Sequence, residues 1–252
     1  MKIGLIGAGN MARALARGWA EPVLCTDGGS GRAAALVAEL GGEAISSNAE
    51  LAERVDLVIL CHKPAGLETV AAEIAGQARA VASILGSTPV VEVAAAYPGT
   101  PVLRFMPNMP VELRRGVVVY GGAVAVAPEL ERDVLELFGR LGDVVAVKDG
   151  LVDAAMAIAG CGTGFVSLVA EAQVDAGVRT GLDAATATRL ALGNLGGTAA
   201  LLEARQGDTR GLRREVTSPG GSTARGLAAL EEHGVRAAFD AAAQAVVHGG
   251  TR

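Results

Sequence analysis

The sequence is poor in the groups that would signal metal, disulfide or nucleic-acid chemistry. Its three cysteines, Cys25, Cys61 and Cys161, are widely separated and odd in number, and they form neither a CxxC pair nor a zinc spacing. Cys25 and Cys61 fall at the ends of expected strands and read as small buried hydrophobes. No two of the three histidines are spaced as a metal pair, so no metal is expected. Aromatic residues make up 3% and the net charge is −5, which leaves neither a basic face nor a stacking platform for nucleic acid. No uninterrupted apolar run reaches the roughly 18 residues of a spanning helix. A strand pattern begins at Lys2 and leaves no room for a signal peptide. A soluble, cytoplasmic protein without a membrane partner is therefore expected.

What is present is a regular alternation. In 252 residues, enough for one large or two smaller domains, the first half switches between short apolar runs and helical ones. Strands are expected at Lys2–Gly7, Pro22–Asp27, Asp56–His62, Val81–Leu85, Val102–Met106, Gly116–Gly122 and Asp143–Lys148. Helices are expected at Asn10–Ala20, with Asn10 as N-cap, at Arg32–Gly41 and at Ala65–Ala80. The Asp56–His62 run is almost continuously apolar, as in a parallel strand covered on both faces. From Leu151 to Val247 the strand pattern ceases, and Ala/Leu-rich segments are broken at Gly181, Gln206–Thr209 and Ser218–Gly221. The expected fold class is α/β: an N-terminal doubly wound, Rossmann-type, mainly parallel sheet over residues 1–149, followed by an all-helical C-terminal domain over 150–252.

The first strand runs into Gly7-x-Gly9-x-x-Ala12 and then a helix, the context in which such a motif binds a dinucleotide. Gly7 permits the tight turn, Gly9 the close approach of a pyrophosphate, and Ala12 close packing of helix on strand. Asn10 and Met11 supply amides at the helix start. At the end of the second strand Asp27 is placed to accept from a ribose 2′-hydroxyl, which favours NAD. Ser30 and Arg32 could instead grip a 2′-phosphate, which favours NADP, and the sequence leaves both cofactors open. Lys63 and Pro64 follow the buried third strand at the ligand end of the sheet, where His62 also falls. Asn108, between Pro107 and Met109-Pro110, offers a side-chain amide on a stiff turn.

The stretch Val216–Leu230 (VTSPGGSTARGLAAL) gathers hydroxyls and bare amides at a helix start. One hydroxyl, Ser222 or Thr223, suffices as a cap. Thr217, Ser218, Ser222 and Thr223 around Gly220-Gly221 exceed that need and suit a small anion such as a substrate carboxylate.

With these motifs in hand the chain resembles the pyrroline-5-carboxylate reductase family. The resemblance is carried by Gly7–Ala12, Lys63-Pro64, Met106–Pro110, Ala170–Leu182 and above all Val216–Ala238, in order along essentially the whole chain. It implies hydride transfer from NADPH or NADH to the C=N bond of 1-pyrroline-5-carboxylate, giving L-proline. It further implies substrate-carboxylate contacts at Ser218, Gly221, Ser222 and Thr223, with Thr223 near the imine nitrogen. Cofactor contacts are implied at Gly7, Gly9, Asn10, Met11, Lys63 and Asn108. The helical domain is implied to form a homodimer, with higher assemblies open. Two segments depart from the family: Ala159–Phe165 (AGCGTGF) stands for a Ser-Gly-Ser-Gly-Pro-Ala-Tyr run, and Met109 replaces a threonine. These departures keep two alternatives open, a related cyclic-imine reductase and a non-catalytic dinucleotide sensor. A two-domain hydroxyacid dehydrogenase needs a lysine on the first long helix after the sheet, and no lysine follows Lys148.

Overall fold

In a computed structural model the chain is described over residues 1–249. It divides into two compact units, residues 1–163 together with 246–249, and Gly164–Ala245.

The first unit is built on one eight-stranded sheet. Its elements are β1 (Ile3–Ile6), α1 (Asn10–Trp19), β2 (Val23–Thr26), α2 (Arg32–Leu40), β3 (Gly42–Ala44), α3 (Asn48–Arg54), β4 (Leu57–Leu60), α4 (Leu67–Ile74), β5 (Val81–Ser83), α5 (Val90–Ala96), β6 (Val102–Pro107), β7 (Gly116–Val124), α6 (Pro128–Gly139) and β8 (Gly142–Ala146). Strand order is β3-β2-β1-β4-β5-β6-β7-β8. Every neighbouring pair is parallel except β6 with β7. The chain leaves β1 to one side for β2 and returns to the other for β4, so the order reverses at β1. That reversal opens a crevice at the carboxyl ends of the strands.

Both faces of the sheet are covered, which is why β1 and β4 are buried throughout. On one face Leu15 and Trp19 of α1 pack with Phe105 and Phe138, whose rings stack at 4.0 Å, and Trp19 Nε1 donates to the Leu137 carbonyl at 2.9 Å. On the other, Leu51, Val70, Ile74 and Val93 cover Val58 and Leu60. The missing side chain of Gly4 makes room there: a Cβ would lie 2.5 Å from a Leu51 methyl.

Three local details differ from the sequence reading. The N-cap of α1 is Gly9, and Asn10 is already helical. The sequence pattern does not mark strand β3 or helices α3, α5 and α6; β3 is three exposed residues paired with β2, with Glu43 bridged to Arg54 of α3. The compact units divide between Thr163 and Gly164 rather than at Asp149. The reason is packing. The segment from Asp149 forms a 3-10 turn, a short helix α7 (Val152–Ala155) and a π-turn at Met156–Gly160. Val152 is buried with Met106 and Val119 of the sheet, and Met156 and Ala159 pack against that cluster.

The second unit contains the remaining helices α8 (Gly162–Arg179), α9 (Ala184–Ala204), α10 (Thr209–Glu215), α11 (Ser222–Glu232) and α12 (Val235–His248), the first and last of which extend past its limits. Asp183 and Asp208 cap α9 and α10 by accepting from Thr186 N and Gly211 N at 2.9 and 2.8 Å. Among the described residues no strand occurs after β8. The run Asp149–Arg179 is long and apolar enough to meet a membrane-span criterion on length and composition. Its exposed side chains include Ile158, Val166 and Leu168.

Candidate functional site

A cavity of about 520 Å3 opens at the crevice beside β1, lined by Gly7, Ala8, Gly9, Asn10, Met11, Asp27, Gly28, Ser30, Arg32, Cys61, His62 and Lys63. Three loops at the carboxyl ends of β1, β2 and β4 therefore converge, bringing together eight of the ten residues expected at the cofactor end.

The two glycines of the turn do different work. Gly7 has φ +102°, and a Cβ there would lie 2.8 Å from the Cys61 carbonyl carbon, so its smallness lets the β1 and β4 loops touch. Gly9 has an ordinary extended conformation (φ −74°, ψ −175°), and nothing lies within 4 Å of a Cβ built on it. Nothing within the protein demands that Gly9 be small. Open space in front of unpaired helix-start amides is the cradle a pyrophosphate fills, and the residues present fit that group.

Asp27 is engaged by its own loop. Oδ1 accepts from Gly29 N, and Oδ2 accepts from Ser30 Oγ and Ala33 N, each at 2.9 Å. The Ala33 amide, helped by the Ser30 hydroxyl and the Gly29 amide, holds this carboxyl below the usual carboxylate range. The carboxylate thus folds the Gly28–Arg32 loop and uses three of its roughly four acceptor sites in doing so. Arg32, exposed on the same loop, makes no ion pair among the described residues.

The Lys63 carbonyl lies 2.8 Å from His62 Nδ1, which fixes the ring proton on that nitrogen. Burial pushes the imidazole below its ordinary pKa, so the ring is neutral at pH 7. Burial also raises the thiols of Cys25, to about 11, and of Cys61, so neither is a thiolate nucleophile.

Two expected cofactor residues lie elsewhere. Pro64 does not line the cavity; it is the first residue of a 3-10 turn, Pro64–Gly66, that feeds α4. Asn108 does not have a free amide: 8% exposed, it accepts from Val117 N at 2.8 Å and donates to the Ala159 carbonyl at 3.2 Å. It fastens the π-turn to the end of β6.

A neighbouring cavity of about 450 Å3 lies outside the site expected from the sequence. It shares Asp27 and Gly28 with the first and adds Ser46, Ser47, Asn48 and Glu73. Asn48 is held at both ends, accepting from Thr26 Oγ1 and donating to Glu73, each at 2.5 Å. The Ser47-x-x-Glu50 spacing, a capping signature, is the sequence signal that marks the start of α3; the Ser47 side chain accepts from Glu50 N at 3.4 Å.

In the second unit Ser218, Gly221, Ser222 and Thr223 lie together on the turn entering α11. The N-cap is Gly221, with no side-chain cap, so the expected capping by Ser222 or Thr223 does not occur and both hydroxyls remain available. Thr217 is not available, because its hydroxyl donates to the Arg213 carbonyl at 2.5 Å. A side chain at Gly221 would collide with the Ser218 hydroxyl.

A glycine turn and convergent strand-end loops over a doubly wound sheet, followed by a helical unit, define a dinucleotide-dependent oxidoreductase. The chain is 33% identical to the pyrroline-5-carboxylate reductase of Corynebacterium melassecola, over 96% of this chain and 95% of that one. It belongs to the pyrroline-5-carboxylate reductase family. Residues 149–251 match the family described as pyrroline-5-carboxylate reductase dimerisation, and residues 2–86 the family described as NADP oxidoreductase, coenzyme F420-dependent. Two solved structures are similar along nearly their whole length. The 1-pyrroline-5-carboxylate reductase of Streptococcus pyogenes has a TM-score of 0.91 at 27% identity, covering 99% of this chain and 97% of that one. The pyrroline carboxylate reductase of Plasmodium falciparum with NADP bound has a TM-score of 0.89 at 26% identity, covering 99% and 96%.

Proposed function

We propose that this chain reduces the C=N bond of 1-pyrroline-5-carboxylate to give L-proline, using NADPH or NADH. The observation that carries this reading is the pairing of family membership along the whole chain with a cavity shaped around the open face of Gly9. When bound, the reduced nicotinamide supplies the hydride. The amides of Gly9, Asn10 and Met11 hold the pyrophosphate, and Lys63 adds positive charge at the cavity wall. Ser218, Gly221, Ser222 and Thr223 hold the substrate carboxylate, and the Thr223 hydroxyl bonds the imine nitrogen. A protonated imine is already electrophilic, so a strong general acid is not required.

Because Asp27 and the Ser30 hydroxyl are bonded to each other, Arg32 is the group left free to meet the adenosine end of the coenzyme, with Ser30 beside it. That favours a 2′-phosphate and hence NADPH. Exposed apolar side chains on the helical unit, among them Leu168, Leu190, Leu192 and Phe239, support a homodimer through this domain, soluble in the cytoplasm.

Steady-state NAD(P)H absorbance with 1-pyrroline-5-carboxylate tests the assignment. The wild-type chain turns over with NADPH in preference to NADH. Arg32→Ala raises the KM for NADPH about tenfold, the loss of one charge-assisted contact, and narrows the difference between the coenzymes. Thr223→Val lowers kcat/KM for the imine by about tenfold or more while the KM for NADPH stays put. Unchanged kcat/KM in Thr223→Val removes that residue from the site.

A further inference from the structure

Arg225 sits one turn into α11, and its Nη1 donates to the Gly220 carbonyl at 2.7 Å. The side chain therefore runs back toward the helix start, as helical side chains do, and carries its charge to the same turn as Ser218–Thr223. This is an unfavourable place for a cation. The helix start already bears the positive end of the backbone dipole, and α11 has neither an acidic residue in its first turn nor a side-chain cap. Some arginines of this unit are neutralised, Arg205 by Glu215 and Arg213 and Arg236 by Glu231, while Arg189, Arg210 and Arg214 are unpaired among the described residues but do not lie at this helix start. Arg225 forms no ion pair among the described residues, and its guanidinium keeps N–H donors beyond the one spent on Gly220. Positive potential is thus concentrated at one turn, and among the described residues no carboxylate pairs with it.

We infer that Arg225 is a specificity-determining residue of the substrate site: braced on Gly220, its guanidinium makes the Ser218–Thr223 turn select imines that carry a carboxylate over neutral imines. This rests on the reductase reading given above and adds to it a charged contact outside the Thr217–Thr223 stretch. The charge raises affinity for the anionic substrate by direct attraction and, through the Gly220 brace, holds the amides of Ser222 and Thr223 in register for it.

The test is a ratio. kcat/KM is measured with NADPH for 1-pyrroline-5-carboxylate and for 1-pyrroline, the same ring without the acid, in wild type, Arg225→Gln and Arg225→Lys. Glutamine keeps a donor for Gly220 and removes the charge; lysine keeps the charge. The preference for the carboxylated imine falls about tenfold in Arg225→Gln, the size of one charge-assisted contact. The fall comes from KM rather than kcat, and Arg225→Lys retains most of the preference. An unchanged ratio in Arg225→Gln overturns the inference, as does an equal loss on both imines, which would make Arg225 a brace and nothing more. A wild-type chain that reduces 1-pyrroline but not 1-pyrroline-5-carboxylate overturns the substrate reading instead, a result distinct from either. A wild-type chain that reduces neither overturns both.

Discussion

Gly9→Val binds NADPH at least about a hundredfold more weakly than the wild-type chain, a loss of about 2.7 kcal/mol, while its folding stability falls only by the roughly 1 kcal/mol of a poorer N-cap. The separation follows from what surrounds the residue. Its φ and ψ suit any amino acid, and no atom lies within 4 Å of a Cβ built there, so the fold accepts the side chain. The valine methyls then stand in the space that a pyrophosphate needs to reach the amides of the α1 start. Gly7→Ala gives the opposite pattern. Its positive φ and the Cys61 carbonyl carbon 2.8 Å from the new methyl force the β1 and β4 loops apart, so stability and binding fall together. A fluorescence titration with NADPH and a thermal scan on both variants distinguish the cases. Tight binding by Gly9→Val would show that the coenzyme phosphates lie elsewhere.

The parts of the molecule legible in the sequence are those written locally. The Gly7–Ala12 turn, the apolar run of β4 and the loss of strand periodicity after residue 149 each depend on neighbours a few positions away, and each led to the right kind of element. What stayed hidden depends on where distant groups arrive. An acid at the end of β2 is plain in the sequence. That its oxygens are engaged within the loop depends on the Gly29 and Ala33 amides folding back onto it. Asn108 reads as a free amide between prolines until Val117 and Ala159 come to either end of it. One hydroxyl at the start of α11, Ser222 or Thr223, reads as a cap because cap preference is local; Gly221 at the N-cap leaves both unused as caps. Strand β3 lacks any internal pattern, since its three residues are all exposed. The match to the dimerisation family begins at residue 149, where the strand period ends, and the compact unit extends further. The change of period at residue 149 marks where strands stop, whereas the compact unit ends where packing on the sheet stops.

That packing hinges on a buried charge, and Asp149→Ala destabilises the protein by about 3 kcal/mol, the low end of the cost of stranding one member of a buried ion pair, because Asp153 stays within 3.6 Å of Arg104. Arg104 on β6 is 2% exposed. Its Nη1 donates to Asp149 Oδ1 at 2.7 Å and to the Asp149 carbonyl at 3.3 Å, while its Nε has no partner. Asp153, at 3.6 Å, is the second counter-charge. The Asp149 carboxylate also accepts from Val90 N at 3.2 Å, so its removal uncaps the start of α5 as well. Against a total stability of about 5–15 kcal/mol, such a loss is large. Arg104→Met behaves differently: it removes the cation together with its desolvation cost and leaves Asp149, one-quarter exposed at its side chain, with access to water. Its destabilisation is therefore smaller, and the double variant Arg104→Met/Asp149→Ala recovers part of what Asp149→Ala loses. Urea unfolding of the three variants measures the order. Asp149→Ala within 1 kcal/mol of wild type, or Arg104→Met less stable than Asp149→Ala, would show that the pair does not hold the Asp149–Gly160 segment to the sheet. If the expected order is found, the Asp149–Gly160 segment is anchored to the sheet by this pair at its start and by Asn108 at its end.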